Sequence, residues 1–390
     1  MEYMKRIVLS ICVCLLALTS QSQVTVGAEC TGQYMPLLEG LRVAVCGNQT
    51  SMVGGTHLVD TLLGSGVSVV KIFCPEHGFR GNAEAGAHIA SSVDPQTGVQ
   101  VVSLYGRNRK PTPEQMADVD VVLFDLQDVG CRFYTYISTL HYVMEAAAES
   151  ECQVVVLDRP NPNGFYVDGP VLDPKFASFV GMHPVPVVYG MTIGEYARMI
   201  NGEGWLKGGR KCALTVIELE GYTHATRYKL PVAPSPNLQT PEAVFLYPSL
   251  CLFEGTAVSV GRGTPTPFQL YGFPGFTGGN CTFTPVAIKG VSENPPHKER
   301  QCSGIDLTAY AQEHLHDAGC LRLEYLLTAY KRFGDKEKFF TNGAFFDKLA
   351  GTDLLRKQIL QGWDEAEIRA SWKEGLDQFK TVREHYLIYD

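Results

Sequence analysis

The stretch VDVVLFDLQDVG, residues 119–130, decides the fold of this chain: apolar residues fill nearly every position up to Phe124, and three polar residues, Asp125, Gln127 and Asp128, come within the next few places. A strand with one wet face alternates, whereas a run apolar on both faces fits a strand covered by helices on each side of a parallel sheet. The same texture recurs outward. Runs at 42–46, 67–73, 99–105 and 152–158 read as strands, and helical patterns at 57–63, 113–117 and 134–150 fall between them. Strands alternating with helices in this rhythm predict an α/β domain, a Rossmann-like, doubly wound and mostly parallel sheet.

A chain of 390 residues exceeds the roughly 250 over which one core usually extends, so a second domain is expected. Beyond Leu230 the texture turns proline-rich, and residues 252–264 form a turn-dense stretch carrying one acid, Glu254, and one arginine, Arg262; its plain reading is a tight connection. Helical patterns then resume at 306–316, 321–332 and 365–382, which suits a smaller α/β C-terminal domain. The expected division is 1–28 as an export signal, 29–235 as the Rossmann-like catalytic domain and 236–390 as the C-terminal domain completing a cleft. The export reading rests on Met4-Lys5-Arg6 before an apolar run too short to span a bilayer comfortably, with small residues near Ala28. It implies a periplasmic or secreted protein whose mature chain has no membrane span.

The net charge of −8, without a dense Lys/Arg block, excludes the electrostatic footprint of a nucleic-acid binder. The ten cysteines from Cys30 to Cys320 show no CxxC pair or metal-ligand spacing, so no metal site is expected. Cys46, Cys74, Cys131 and Cys152 sit in or beside apolar runs, where a free buried thiol is the commoner state. Neither GxGxxG nor GxxxxGK[ST] occurs at the turns, which argues against a nucleotide; no cofactor is expected.

In doubly wound sheets the ligand crevice lies outside the carboxyl ends of the strands. The ends here carry Asn48, then Glu76, His77 and Arg80, then Asp125 and Asp128, then Asn161. Period-2 geometry puts Asp125 on the face of Val121 and Leu123 at its strand's end, where an acid is either desolvated or working. Glu76 and His77 are neighbours whose side chains diverge in extended chain, so a direct dyad is not expected. Pro75 and Gly78 would hold that loop in one orientation. Two carboxylates from neighbouring strand ends suit glycoside cleavage, in which one protonates the leaving oxygen and the other meets the oxocarbenium-like centre. Phe79, Tyr105, Phe133, Tyr134 and Tyr136 could face a sugar or belong to the core, and Arg80, Arg107, Arg132 and Arg262 could grip an anionic group or pair with acids.

FCPEHGFRGNAEAG, SLYG, VDVVLFDLQDVGCRFYTYISTL, LDRPNPNG, YGMTIGEYA, FEGTAVSVGRGT and SWKEGLDQFKTVREHYLIYD run in order from about Leu41 to the last residue. With these motifs the chain resembles the exo-β-N-acetylmuramidase family. That resemblance implies removal of N-acetylmuramic acid from the non-reducing ends of peptidoglycan fragments, in a cleft between two domains and without metal or nucleotide. Carried over motif by motif, it implies Glu76 and Asp125 as the catalytic pair, with Asp128 and Glu84 as substitutes and His77 in a supporting or catalytic part. The substrate would be a peptidoglycan-derived muro-oligosaccharide, met by Asn48, Arg80, Glu84, Arg132, Tyr134, Asn161, Glu254 and Arg262. Its lactyl carboxylate directs attention first to Arg80, Arg132 and Arg262. The competing class is a periplasmic sugar or muropeptide binding protein, which needs no acid pair. A cell-wall amidase or esterase is weaker, for want of a GxSxG elbow.

Overall fold

The computed structural model describes residues 24–390 apart from 77, 81–91, 316 and 318, so His77 and Glu84 lie outside the described residues. The first half forms a sheet of β1 (Arg42–Gly47), β4 (Ser68–Cys74), β5 (Ser92–Val93), β6 (Gln100–Ser103), β7 (Val121–Asp125), β8 (Gln153–Leu157) and β9 (Ala213–Ile217), with β2 (Met52–Val53) and β3 (Thr56–His57) as a small hairpin beside it. The order β5-β6-β4-β1-β7-β8-β9 is parallel throughout except at β5, which runs antiparallel to β6. The α/β reading therefore holds. The expected edges differ by a residue or two, and the helix expected from 134 begins at Tyr136 because Phe133 and Tyr134 are held in a turn by the Tyr134 N–H to Cys131 carbonyl bond.

Alternation along β7 sorts its side chains into two cores. Val121 and Leu123 join Val43, Val45 and the helix Leu58–Gly64 on one face, while Val122 and Phe124 join Ala44, Cys46 and the helix Tyr136–Glu149 on the other. Apolar burial on both faces is what the unbroken run encodes. The strand order reverses between β1 and β7, the switch point beside which crevices open in such sheets.

The second half is built on a three-stranded antiparallel sheet, β10 (Leu270–Phe273), β11 (Cys281–Phe283) and β12 (Cys302–Asp306), in the order β10-β12-β11. Helices Leu323–Arg332, Gly343–Ala350, Leu354–Gln361 and Glu365–Glu384 share one hydrophobic core with it and with the first half. Gly255 matters for the cleft: a Cβ there would lie 2.5 Å from that of Phe346, so only glycine lets the turn Cys251–Gly255 rest on the helix Gly343–Ala350. The last residues return to the first sheet, where Tyr389 Oη donates to Asp158 Oδ2 at 2.7 Å and the Ile388 N–H donates to Glu195 Oε1 at 2.8 Å. Cys46, Cys74, Cys131 and Cys152 are buried free thiols. No helix among the described residues is long and apolar enough to cross a membrane.

Candidate active site

A cavity of about 420 Å³ lies at the carboxyl ends of the parallel strands, walled by both halves of the chain. That volume falls within the range of small-ligand sites. Glu76 enters it from the loop after β4, where Pro75 limits the approach and Gly78 turns back with φ of 77°. Tyr105, just beyond β6, hydrogen-bonds Glu76, and burial together with the Glu76 charge and that bond pushes its phenol up to about 12. The phenol therefore stays protonated beside Glu76, able to donate to its carboxylate and to accept from its protonated carboxyl.

Tyr134 and Tyr136 cross edge to face with centroids 4.7 Å apart, and both hydroxyls donate to the Pro234 carbonyl, at 2.8 and 3.4 Å. Asn48 fixes Tyr136 further by donating Nδ2 to its hydroxyl at 2.7 Å. Tyr247 and Phe268 extend this aromatic wall. Phe268 holds φ of 58°, a left-handed conformation that costs a bulky residue of order 1 kcal/mol. Its ring is packed at 5.1 Å against Tyr247, with the Arg262 guanidinium 5.0 Å above it.

Across the chain from Glu76, the turn Cys251–Gly255 presents Glu254, whose Oε1 accepts from Arg262 Nε at 2.5 Å; each side chain is about a quarter exposed. The stretch 252–264, first read as a tight connection, is thus also a wall of the cavity. Among the described residues Glu76 and Glu254 are the acids lining it. Two buried oxygens on this wall, Ser178 Oγ and Asn237 Oδ1, have no hydrogen-bond partner among the described residues. Buried polar atoms are nearly always paired, so unmet acceptors on a cavity wall mark places for ligand donors.

The other expected site residues are placed elsewhere. Asp125 is fully buried beneath the strand ends and takes both Arg159 Nε at 2.5 Å and Nη2 at 2.9 Å; it is off the cavity wall because alternation turns it to the face opposite the helix Tyr136–Glu149. Asp128 is buried too. Its Oδ2 accepts from the Gly130 N–H at 2.6 Å and from Tyr189 Oη, its Oδ1 has no partner among the described residues, and burial pushes it up to about 6. Arg80 is committed to Asp94 and Asp60, and its bonds help hold Asp94 down to about 2. Arg132 is wholly buried and donates to the Pro170, Val185 and Leu349 carbonyls. Asn161 donates to the Met191 carbonyl and accepts from the Asn163 N–H, bracing the loop after β8. Asn48 reaches the cavity only through Tyr136. Tyr134, Glu254 and Arg262 do line it.

Sequence reasoning passed over Arg109, Phe179, Ser178, Asn237 and Lys348, all on the wall. Arg109 sits three residues beyond SLYG and could have been found as the next cation after a strand end; the other four lie in segments without any local signature. No cluster able to hold a metal ion occurs among the described residues.

Comparison with known proteins accounts for nearly the whole chain. The model for "Exo-beta-N-acetylmuramidase NamZ, N-terminal" matches residues 43–242 and that for the C-terminal part matches 245–389. The chain is 38% identical to the Peptidoglycan beta-N-acetylmuramidase NamZ of Bacillus subtilis (strain 168), over 91% of this chain and 89% of that protein. A crystal structure of a DUF1343 family protein from Bacteroides fragilis NCTC 9343 superposes with a TM-score of 0.86 at 47% identity, covering 95% of this chain and 99% of the other. A second DUF1343 family protein of that organism gives 0.75 at 29% identity, covering 94% and 99%. With both family models in tandem over one continuous fold, this chain belongs to the exo-β-N-acetylmuramidase family.

Proposed function

We propose that the cavity cleaves the terminal β-N-acetylmuramic acid from the non-reducing end of peptidoglycan fragments, with Glu76 and Glu254 as its carboxylate pair. The observation that carries this reading is the wall itself: one acid from each half of the chain, flanked by Tyr134, Tyr136, Tyr247 and Phe268. Glycoside hydrolysis needs a proton at the leaving oxygen and negative charge near the anomeric carbon. Glu76, hydrogen-bonded to Tyr105, is the proton donor. Glu254, anchored by Arg262, is the carboxylate that meets the developing positive charge, directly or by orienting the substrate's own acetamido group. A capture protein without catalysis needs no acid on either wall, and the Bacillus subtilis relative is named a peptidoglycan β-N-acetylmuramidase. The leader at 1–28, with its basic start and short apolar run, supports export to the compartment where such fragments arise.

The test is release of 4-nitrophenol from 4-nitrophenyl β-N-acetylmuramide. Glu76→Gln and Glu254→Gln should each lower kcat by about 10² to 10⁴-fold while N-acetylmuramic acid still binds. Wild-type rates in both variants would refute the pair.

A further inference from the structure

Among the described residues three cations line the cavity, Arg109, Arg262 and Lys348. Arg262 is neutralised by Glu254 at 2.5 Å, and the arginines first expected to hold an anion are committed elsewhere, Arg80 to Asp60 and Asp94 and Arg132 to three carbonyls. Among the described residues no salt bridge is seen between a carboxylate and either Arg109 or Lys348, in contrast to Arg262.

Arg109 is also oriented. Its guanidinium carbon lies 4.4 Å from the centroid of the Phe179 ring, and Tyr142 stacks with that ring at 6.2 Å with planes 13° apart. Stacking occupies the face of a guanidinium and leaves its N–H edge free for two parallel bonds to a carboxylate, which an ammonium cannot offer. Ser178, beside Phe179, adds to the same wall a hydroxyl without a partner among the described residues. Lys348 comes from the helix Gly343–Ala350 of the second half, so positive charge reaches the cavity from both halves.

We propose that Arg109 and Lys348 form the anion subsite of this cavity, Arg109 taking the lactyl carboxylate of the substrate sugar in a bidentate grip; this rests on the glycosidase reading given above. The pair makes the site selective for a sugar bearing a free acid over the same sugar with that acid masked.

The experiment compares two chromogenic substrates, 4-nitrophenyl β-N-acetylmuramide and its lactyl methyl ester. Wild type should prefer the acid. Arg109→Ala should lower kcat/KM for the acid about 10- to 100-fold, mainly through KM, with a much smaller effect on the ester, while Arg109→Lys recovers part of the loss. Lys348→Ala should cost several-fold less, and its effect should fade as salt rises. Equal losses on both substrates, or an acid preference surviving in the double variant, would overturn the assignment. Should wild type cleave neither substrate, the glycosidase reading falls; calorimetry of N-acetylmuramic acid against its methyl ester, on wild type and Arg109→Ala, then judges the subsite on its own.

Discussion

Asp125 separates a stabilising acid from a catalytic one, and Asp125→Asn tests which it is. In the native protein its two oxygens take two N–H groups of Arg159, at 2.5 and 2.9 Å, with the arginine 4% and the aspartate 0% exposed. The Arg159 guanidinium has one further bond among the described residues, from Nη2 to the Met52 carbonyl at 3.2 Å. An asparagine of the same shape keeps one acceptor but turns an NH2 group toward the guanidinium and leaves its charge buried without a counter-ion. Breaking one side of such a pair costs about 3–5 kcal/mol. At 2–4 °C per kcal/mol for a domain of this size, the melting temperature should fall by roughly 10 °C. Calorimetry reads that fall, and initial rates on the chromogenic muramide, well below the new midpoint, read catalysis. The expected pattern is a large thermal loss with kcat per folded molecule within several-fold of wild type. Glu76→Gln should do the reverse, melting like wild type and turning over at least about 100-fold more slowly. An Asp125→Asn variant with wild-type melting and a collapsed kcat would refute the argument and return Asp125 to the chemistry.

Two further outcomes follow from buried groups. Arg132→Ala strands the Pro170, Val185 and Leu349 carbonyls and empties a side chain pressed against Gly351, so it should cost about 4 kcal/mol or more in urea unfolding; a loss below about 1 kcal/mol would show that these carbonyls find other donors. Asp128, raised by burial to about 6, favours its protonated form in the folded state. Its contribution is therefore complete below the ordinary aspartate value near 4 and is lost as pH rises through 6, which amounts to about 3 kcal/mol for two units. Urea midpoints measured from pH 4 to 7 should fall more steeply for wild type than for Asp128→Asn, and parallel profiles would contradict the sign.

The sheet was legible because burial on both faces leaves a local trace, the unbroken apolar run of β7, that no tertiary information is needed to read. Alternation also put Asp125 on the face of Val121 and Leu123, and its charge acts there on Tyr34 of the same core. What alternation cannot say is which face the cleft opens on. That depends on where the chain after residue 240 docks, and it docks so that Tyr136, Tyr247 and Phe268 meet on the opposite side. The acid that looked most conspicuous therefore points into the protein. Glu254 is the converse case. Its partner Arg262 lies eight residues away in a stretch whose glycines read as a bare turn, yet those turns, with Gly255 pressed against Phe346, bring it to the wall. A strand-end rule finds only residues that the sheet itself presents. It reached Glu76 and, through the next strand end, could have reached Arg109; it had no means of reaching Glu254 or Lys348, whose positions are set by one domain closing on another.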